Sequence, residues 1–164
     1  MSTKKIQTIF LFISVIALVI LIRNLYSSYT FKNNPISQEQ RQAIEQEEQR
    51  VLLNMQKKLG FKFRVPIIIT DKIPGKIYGV TSLDEDGSIR IYLNKKVMKE
   101  SMDYIISNVI AHEYAHALLF KSGDYKKIKD GHSKLWQKTC TKLGGEKCQK
   151  YVNSHDVIMG KLPF

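Results

Sequence analysis

The chain has 164 residues, 43% hydrophobic and 25% charged, which allows a packed core and excludes wholesale disorder. Its formal net charge of +11 points to an anionic partner (nucleic acid, membrane surface or acidic protein), although scattered lysines read equally well as a solvated surface. Two cysteines, Cys140 and Cys148, exclude a disulfide-dense scaffold and a four-cysteine zinc ribbon.

The N-terminus differs from the rest. From Ile9 to Ile22 every residue is apolar except Ser14, with Lys4 and Lys5 before the run and Arg23 closing it. At 1.5 Å per residue, a helix over residues 6–22 reaches roughly 25 Å, just enough to cross a thin hydrocarbon core. Residues 1–23 therefore read as an uncleaved single-pass membrane anchor. A cleavable signal peptide is the rival, but the run is long for one and no small-x-small pair directly follows Ile22. A buried soluble helix fits worst, because the run lacks a polar face. Lys4, Lys5 and the α-amino group narrowly outweigh Arg23 and Lys32, so the positive-inside rule leans toward a cytosolic N-terminus with the remaining chain outside.

Residues 24–36 (NLYSSYTFKNNPI) read as a linker punctuated by Asn-Asn-Pro. Ser37 opens a capping box with Gln40 and starts a helix to about Leu59, ended by Gly60. Ile44, Glu48, Val51, Leu52, Met55 and Leu59 share one side of it, apolar but for Glu48. Strands are expected at Val65–Thr70, Lys76–Ser82 and Ser88–Leu93, with a turn over Asp84–Gly87 and a stop at Asn94. A long helix follows over Ser101–Phe120, then a lysine-rich loop Asp124–Gly131 and a helix over Ser133–Leu143 closed by Gly144-Gly145. Residues 37–164 thus form an α+β domain with a small sheet.

His112-Glu113-Tyr114-Ala115-His116 is an HExxH motif inside the long helix. Positions i and i+4 lie one turn apart on one face, so both imidazoles reach a single zinc. Glu113, about 100° round the helix, flanks the metal and stands where a general base takes a proton from the attacking water. The flanking Ile105, Ile106, Val109, Ile110, Leu118 and Leu119 mark a buried helix, on which polar side chains need partners to offset desolvation. A metal supplies them. A chance grouping of surface residues is the bland alternative, and it leaves that burial unexplained.

A catalytic zinc takes a third protein ligand and keeps a fourth position open. The metzincin continuation is excluded, since Leu119 and Ser122 stand where its glycine and histidine would be. The candidates are His132, His155, Asp124, Asp130, Glu146 and Asp156. His132 follows Gly131 at the mouth of the next helix. The helix Ser133–Leu143 holds no acid to serve as a mid-helix ligand.

HEYAHALLF, a loop and then DGHSKLWQKTCTKLGG resemble the catalytic core of SprT-like zinc metalloproteases, the family of the Spartan catalytic domain. GSIRIYLNK is similar to the family's strand before the metal helix, and Trp136 fills its aromatic position after the Gly-His pair. The resemblance, over about residues 76–145, implies a zincin-like fold and one zinc ion per chain. It implies His112, His116 and His132 as ligands, Glu113 as base, and protein substrates.

Four residues are candidates for stabilising the oxyanion: Tyr78, Tyr125, Tyr151 and His155. Ser88–Leu93 is the expected edge for an extended substrate. Leu135, Trp136, Cys140 and Leu143 form the inner stripe of the last helix, with Cys140 a core thiol that pairs with Cys148 if the domain lies outside the cytosol. Two alternatives differ in class. One is a zinc-binding module of little activity that holds a protein or nucleic-acid partner. The other is a nucleic-acid-tethered protease, in which the lysines of residues 121–134 contact phosphates.

Overall fold

The computed structural model describes residues 3–74, 77–127 and 131–149. The chain divides into two units, Met1–Ile36 and Ser37–Phe164.

The first unit is one helix, α1 (Thr3–Asn33). Its span Lys4–Asn33 is long and apolar enough to cross a membrane. Phe10, Leu11 and Phe12 are 72%, 66% and 67% exposed. The helix continues over residues read from the sequence as a linker. Within it, Thr30 Oγ1 donates to the Tyr26 carbonyl (3.0 Å) and Asn33 Nδ2 to the Tyr29 carbonyl (2.9 Å). No breaker occurs before Pro35, which disfavours helix at the residue preceding it.

The second unit opens with α2 (Gln38–Leu59), whose capping box forms as expected. Ser37 Oγ accepts from the Gln40 N–H (3.2 Å) and Gln40 Oε1 accepts from the Ser37 N–H (3.1 Å), satisfying two of the helix's free donors. Glu48 is buried with the apolar stripe. Burial of a carboxylate is tolerable only with partners. Arg64 grips it through Nε and Nη2, and the buried Tyr114 hydroxyl donates to it at 2.7 Å. The exception in the stripe is therefore a tie between α2, the lead-in to the sheet and the helix bearing the HExxH motif.

Three strands follow: β1 (Ile67–Thr70), β2 (Gly79–Leu83) and β3 (Ile89–Asn94). The sheet order is β1-β3-β2, with β1 parallel and β2 antiparallel to β3. Burial alternates toward the end of β3, since Ile91 and Leu93 are wholly buried while Arg90 and Tyr92 are not. The expected substrate edge does not hold. β3 is bonded on both sides, so its backbone has no free row of donors and acceptors, and among the described residues the outer strands are β1 and β2. The turn joining β2 to β3 is closed by the Gly87 N–H donating to the Asp84 carbonyl (2.9 Å) and by an Arg90–Asp84 ion pair.

Asn94 ends β3 and at once caps α3 (Lys95–Tyr104), accepting from the Lys96 N–H at 3.0 Å. That cap starts a helix well before Ser101, where the sequence placed it. Ser101 leaves helical geometry (φ −138°, ψ 27°). A π-helical turn (Ile105–Val109) then leads into α4 (Ile110–Ser122). Such widened turns accompany functional sites often. A 3₁₀ turn (Asp124–Lys127) and α5 (Lys134–Leu143) are the last elements among the described residues.

On α5, Trp136, Cys140 and Leu143 are buried as expected, but Leu135 is 47% exposed. Leu135 lies about 100° round the helix from Trp136, which carries it off the inner face. Cys140 is not a free core thiol: it is disulfide-bonded to Cys148, Cα to Cα 5.9 Å. The chain turns back beyond α5 through Gly145, where a Cβ would sit 2.7 Å from the Cys140 sulfur. The returning segment braces the π-turn, with the Lys147 N–H donating to Asn108 Oδ1 at 2.7 Å.

Candidate metal centre

α4 is buried almost throughout, and its two motif histidines leave it on one face. His132 is brought to them by the chain that returns after Gly123. Gly131 takes φ +73°, in the left-handed region that lets the chain turn sharply into α5. Ser133 then caps α5 by accepting from the Trp136 N–H at 3.2 Å, which fixes where that helix starts relative to His132.

The Nε2 atoms of His112, His116 and His132 form a near-equilateral triangle. His116 lies 3.3 Å from His112 and 3.2 Å from His132, and His132 lies 3.2 Å from His112. A tetrahedral ion with bonds of about 2.0–2.1 Å separates its ligands by about 3.3–3.4 Å, so the triangle fits such an ion. Among the described residues, these three are the one group of His, Cys, Asp or Glu side chains placed to share a metal. Burial, then His116 and His132, holds His112 down at about 3; burial, then His132, holds His116 down at about 4. Both rings are thus neutral near pH 7, the form that ligates.

Trp136, 1% exposed, stands against all three rings, with centroids 4.6, 5.3 and 4.5 Å from those of His112, His116 and His132. One residue of α5 thereby limits the freedom of all three rings.

Glu113 is 5% exposed. Burial pushes its carboxyl up to about 7, against the opposing pull of the Thr81 hydroxyl. That hydroxyl, on β2, lies 2.7 Å from Glu113 Oε2 and 2.9 Å from the Glu113 carbonyl. Gly79 is packed as closely: a Cβ there would be 3.0 Å from Glu113 Cγ and Oε1 and 2.9 Å from Val109 Cγ1. The sequence reading missed both residues. A glycine inside a strand signals a close approach by another element and could have exposed Gly79. Nothing local marks Thr81.

The other candidates fall elsewhere. Asp124 Oδ2 accepts from the Ser122 hydroxyl at 2.8 Å, and Glu146 is exposed. Tyr78 packs edge-on against Tyr104 and Tyr125 against Phe120. Asp130, Tyr151, His155, Asp156 and Lys76 lie outside the described residues.

A family model described as SprT-like matches residues 37–156. No curated protein and no solved structure matches the chain.

Proposed function

The chain belongs to the SprT-like family, and from that premise we propose that it is a membrane-anchored, zinc-dependent endopeptidase acting on protein substrates. The observation that carries the reading is the convergence of three histidine Nε2 atoms beside a buried carboxylate, Glu113, one residue along the helix from His112.

His112, His116 and His132 would hold the ion, which when bound polarises a carbonyl and acidifies water. Glu113 takes a proton from the attacking water and returns it to the leaving amine. Trp136 keeps the ligand rings in place. Among the described residues β2 is an outer strand of the sheet, and it touches the base, so an extended substrate would add along that strand by backbone pairing. An intact Glu113 favours turnover over a silent binding module, which could lose that residue freely.

The test is proteolysis of denatured casein by detergent-solubilised full-length protein. We expect about one zinc per chain, cleavage that stops with a chelator and returns with zinc, and neither metal nor cleavage in His112→Ala or His116→Ala. Stoichiometric metal in both variants would remove the central claim.

For location, α1 supports an anchor, and the Cys140–Cys148 bond supports a domain facing an oxidising compartment, since such bonds are rare in the cytosol. Full-length protein should stay with membranes through a carbonate wash and take up no thiol reagent on denaturation until it is reduced. A mature N-terminus between residues 23 and 35 would mean a cleaved signal peptide. Two reactive thiols before reduction would put the domain on the cytosolic side.

A further inference from the structure

The carboxylate of Glu113 is held from one side by a single strand. Alternate residues of β2 address it: Gly79 leaves space only for its Cγ and Oε1, and Thr81 bonds its Oε2. Val80, between them, is exposed. The Thr81 hydroxyl has one proton and two acceptors in reach on the same residue, Oε2 at 2.7 Å and the main-chain carbonyl at 2.9 Å. It therefore ties the side chain of Glu113 to the stretch of backbone that also carries His112 and His116. Oε2 is occupied by this contact, Oε1 lies against the backbone at Gly79, and the Thr81 backbone also favours the ionised carboxylate.

We propose that Thr81 is a positioning residue for catalysis, whose hydroxyl fixes the Glu113 carboxylate in the one arrangement from which it takes a proton from water. This rests on the reading of Glu113 as general base. A glutamate side chain otherwise samples several rotamers, and a base pays in rate for each arrangement in which it is out of reach. The strand that would receive the substrate is also the strand that orders the base. Substrate pairing along β2 and correct placement of Glu113 are thus coupled through Thr81.

The experiment uses full-length protein in detergent with labelled denatured casein, and compares Thr81→Val, Thr81→Ser, Glu113→Gln and the Thr81→Val/Glu113→Gln double variant. Valine keeps the shape and strand preference of threonine and removes the hydroxyl. Thr81→Val should keep zinc and KM and lose about 10–100-fold in kcat, the size of one hydrogen bond to a charged group. Thr81→Ser should restore most of that loss, and the double variant should be no slower than Glu113→Gln, because Thr81 acts through Glu113. Wild-type kcat in Thr81→Val with an inactive Glu113→Gln overturns the proposal and leaves the general-base reading standing. Full activity in Glu113→Gln overturns the reading beneath it. Equal losses in the valine and serine variants assign the effect to packing and also overturn the proposal. If the valine variant does not fold, Thr81→Ser against Thr81→Ala decides: serine active and alanine impaired supports the role, and equal kcat sinks it.

Discussion

Glu113→Gln will retain zinc and lose about 10²–10⁴-fold in turnover, the range for removal of a positioned general base. The substitution is nearly isosteric, so the close contact with Gly79 survives, and the amide oxygen can still accept from Thr81. None of the three histidines is altered, so metal content isolates the proton-transfer role from the ligand role. The size of the effect follows from the setting. A carboxylate that is 5% exposed and pushed up to about 7 has a proton affinity near that of its surroundings, which is the condition under which a base both takes and returns a proton efficiently. An amide can do neither. Turnover is measured on casein alongside zinc content. A fully active Glu113→Gln would show that another group moves the proton.

The parts of this site that were legible in the sequence are the locally encoded ones. HExxH places two histidines and a glutamate by helix periodicity alone, and a Ser-x-x-Gln box or a Gly-His pair before a helix is read from neighbouring residues. The sheet was less legible for a physical reason. Alternation in β3 reports which face is buried and carries no information about which strands lie on either side, so a central strand was taken for an edge. The early start of α3 turned on one side chain, since Asn94 is a strand terminator and an N-cap at once. Thr81 belongs to a third kind. Its role exists only because the sheet brings β2 against α4, separated by 32 residues in sequence, and no spacing rule reaches that far. The disulfide was conditional in the sequence because spacing alone does not choose between two thiols and a bond, whereas the turn through Gly145 brings the two cysteines together.

His132→Ala is expected to abolish activity and reduce bound zinc far below one per chain, while Asp130→Ala does neither. His132 Nε2 is 3.2 Å from the Nε2 of each of the other two histidines, so its loss would open one corner of the triangle and leave two donors for an ion that takes three from the protein. Its position is set by groups on both sides. Gly131 supplies the positive φ of the approach, and the Ser133 cap fixes the first turn of α5. Trp136, one turn into that helix, closes against the ring of His132 at 4.5 Å. An alanine at 132 leaves all three in place, so a loss of metal in a folded variant reports ligation rather than collapse, and thermal melting of the metal-free proteins tests that they match. Asp124 and Glu146 are engaged or exposed elsewhere, which makes Asp130 the acid to compare, on the far side of Gly131 in sequence. Because metal affinity is steep in ligand number, equilibrium dialysis against zinc separates the variants without any assay of proteolysis. Were Asp130→Ala to lose the ion and His132→Ala to keep it, the third ligand would be the carboxylate, and the histidine triangle would be a packing arrangement around Trp136.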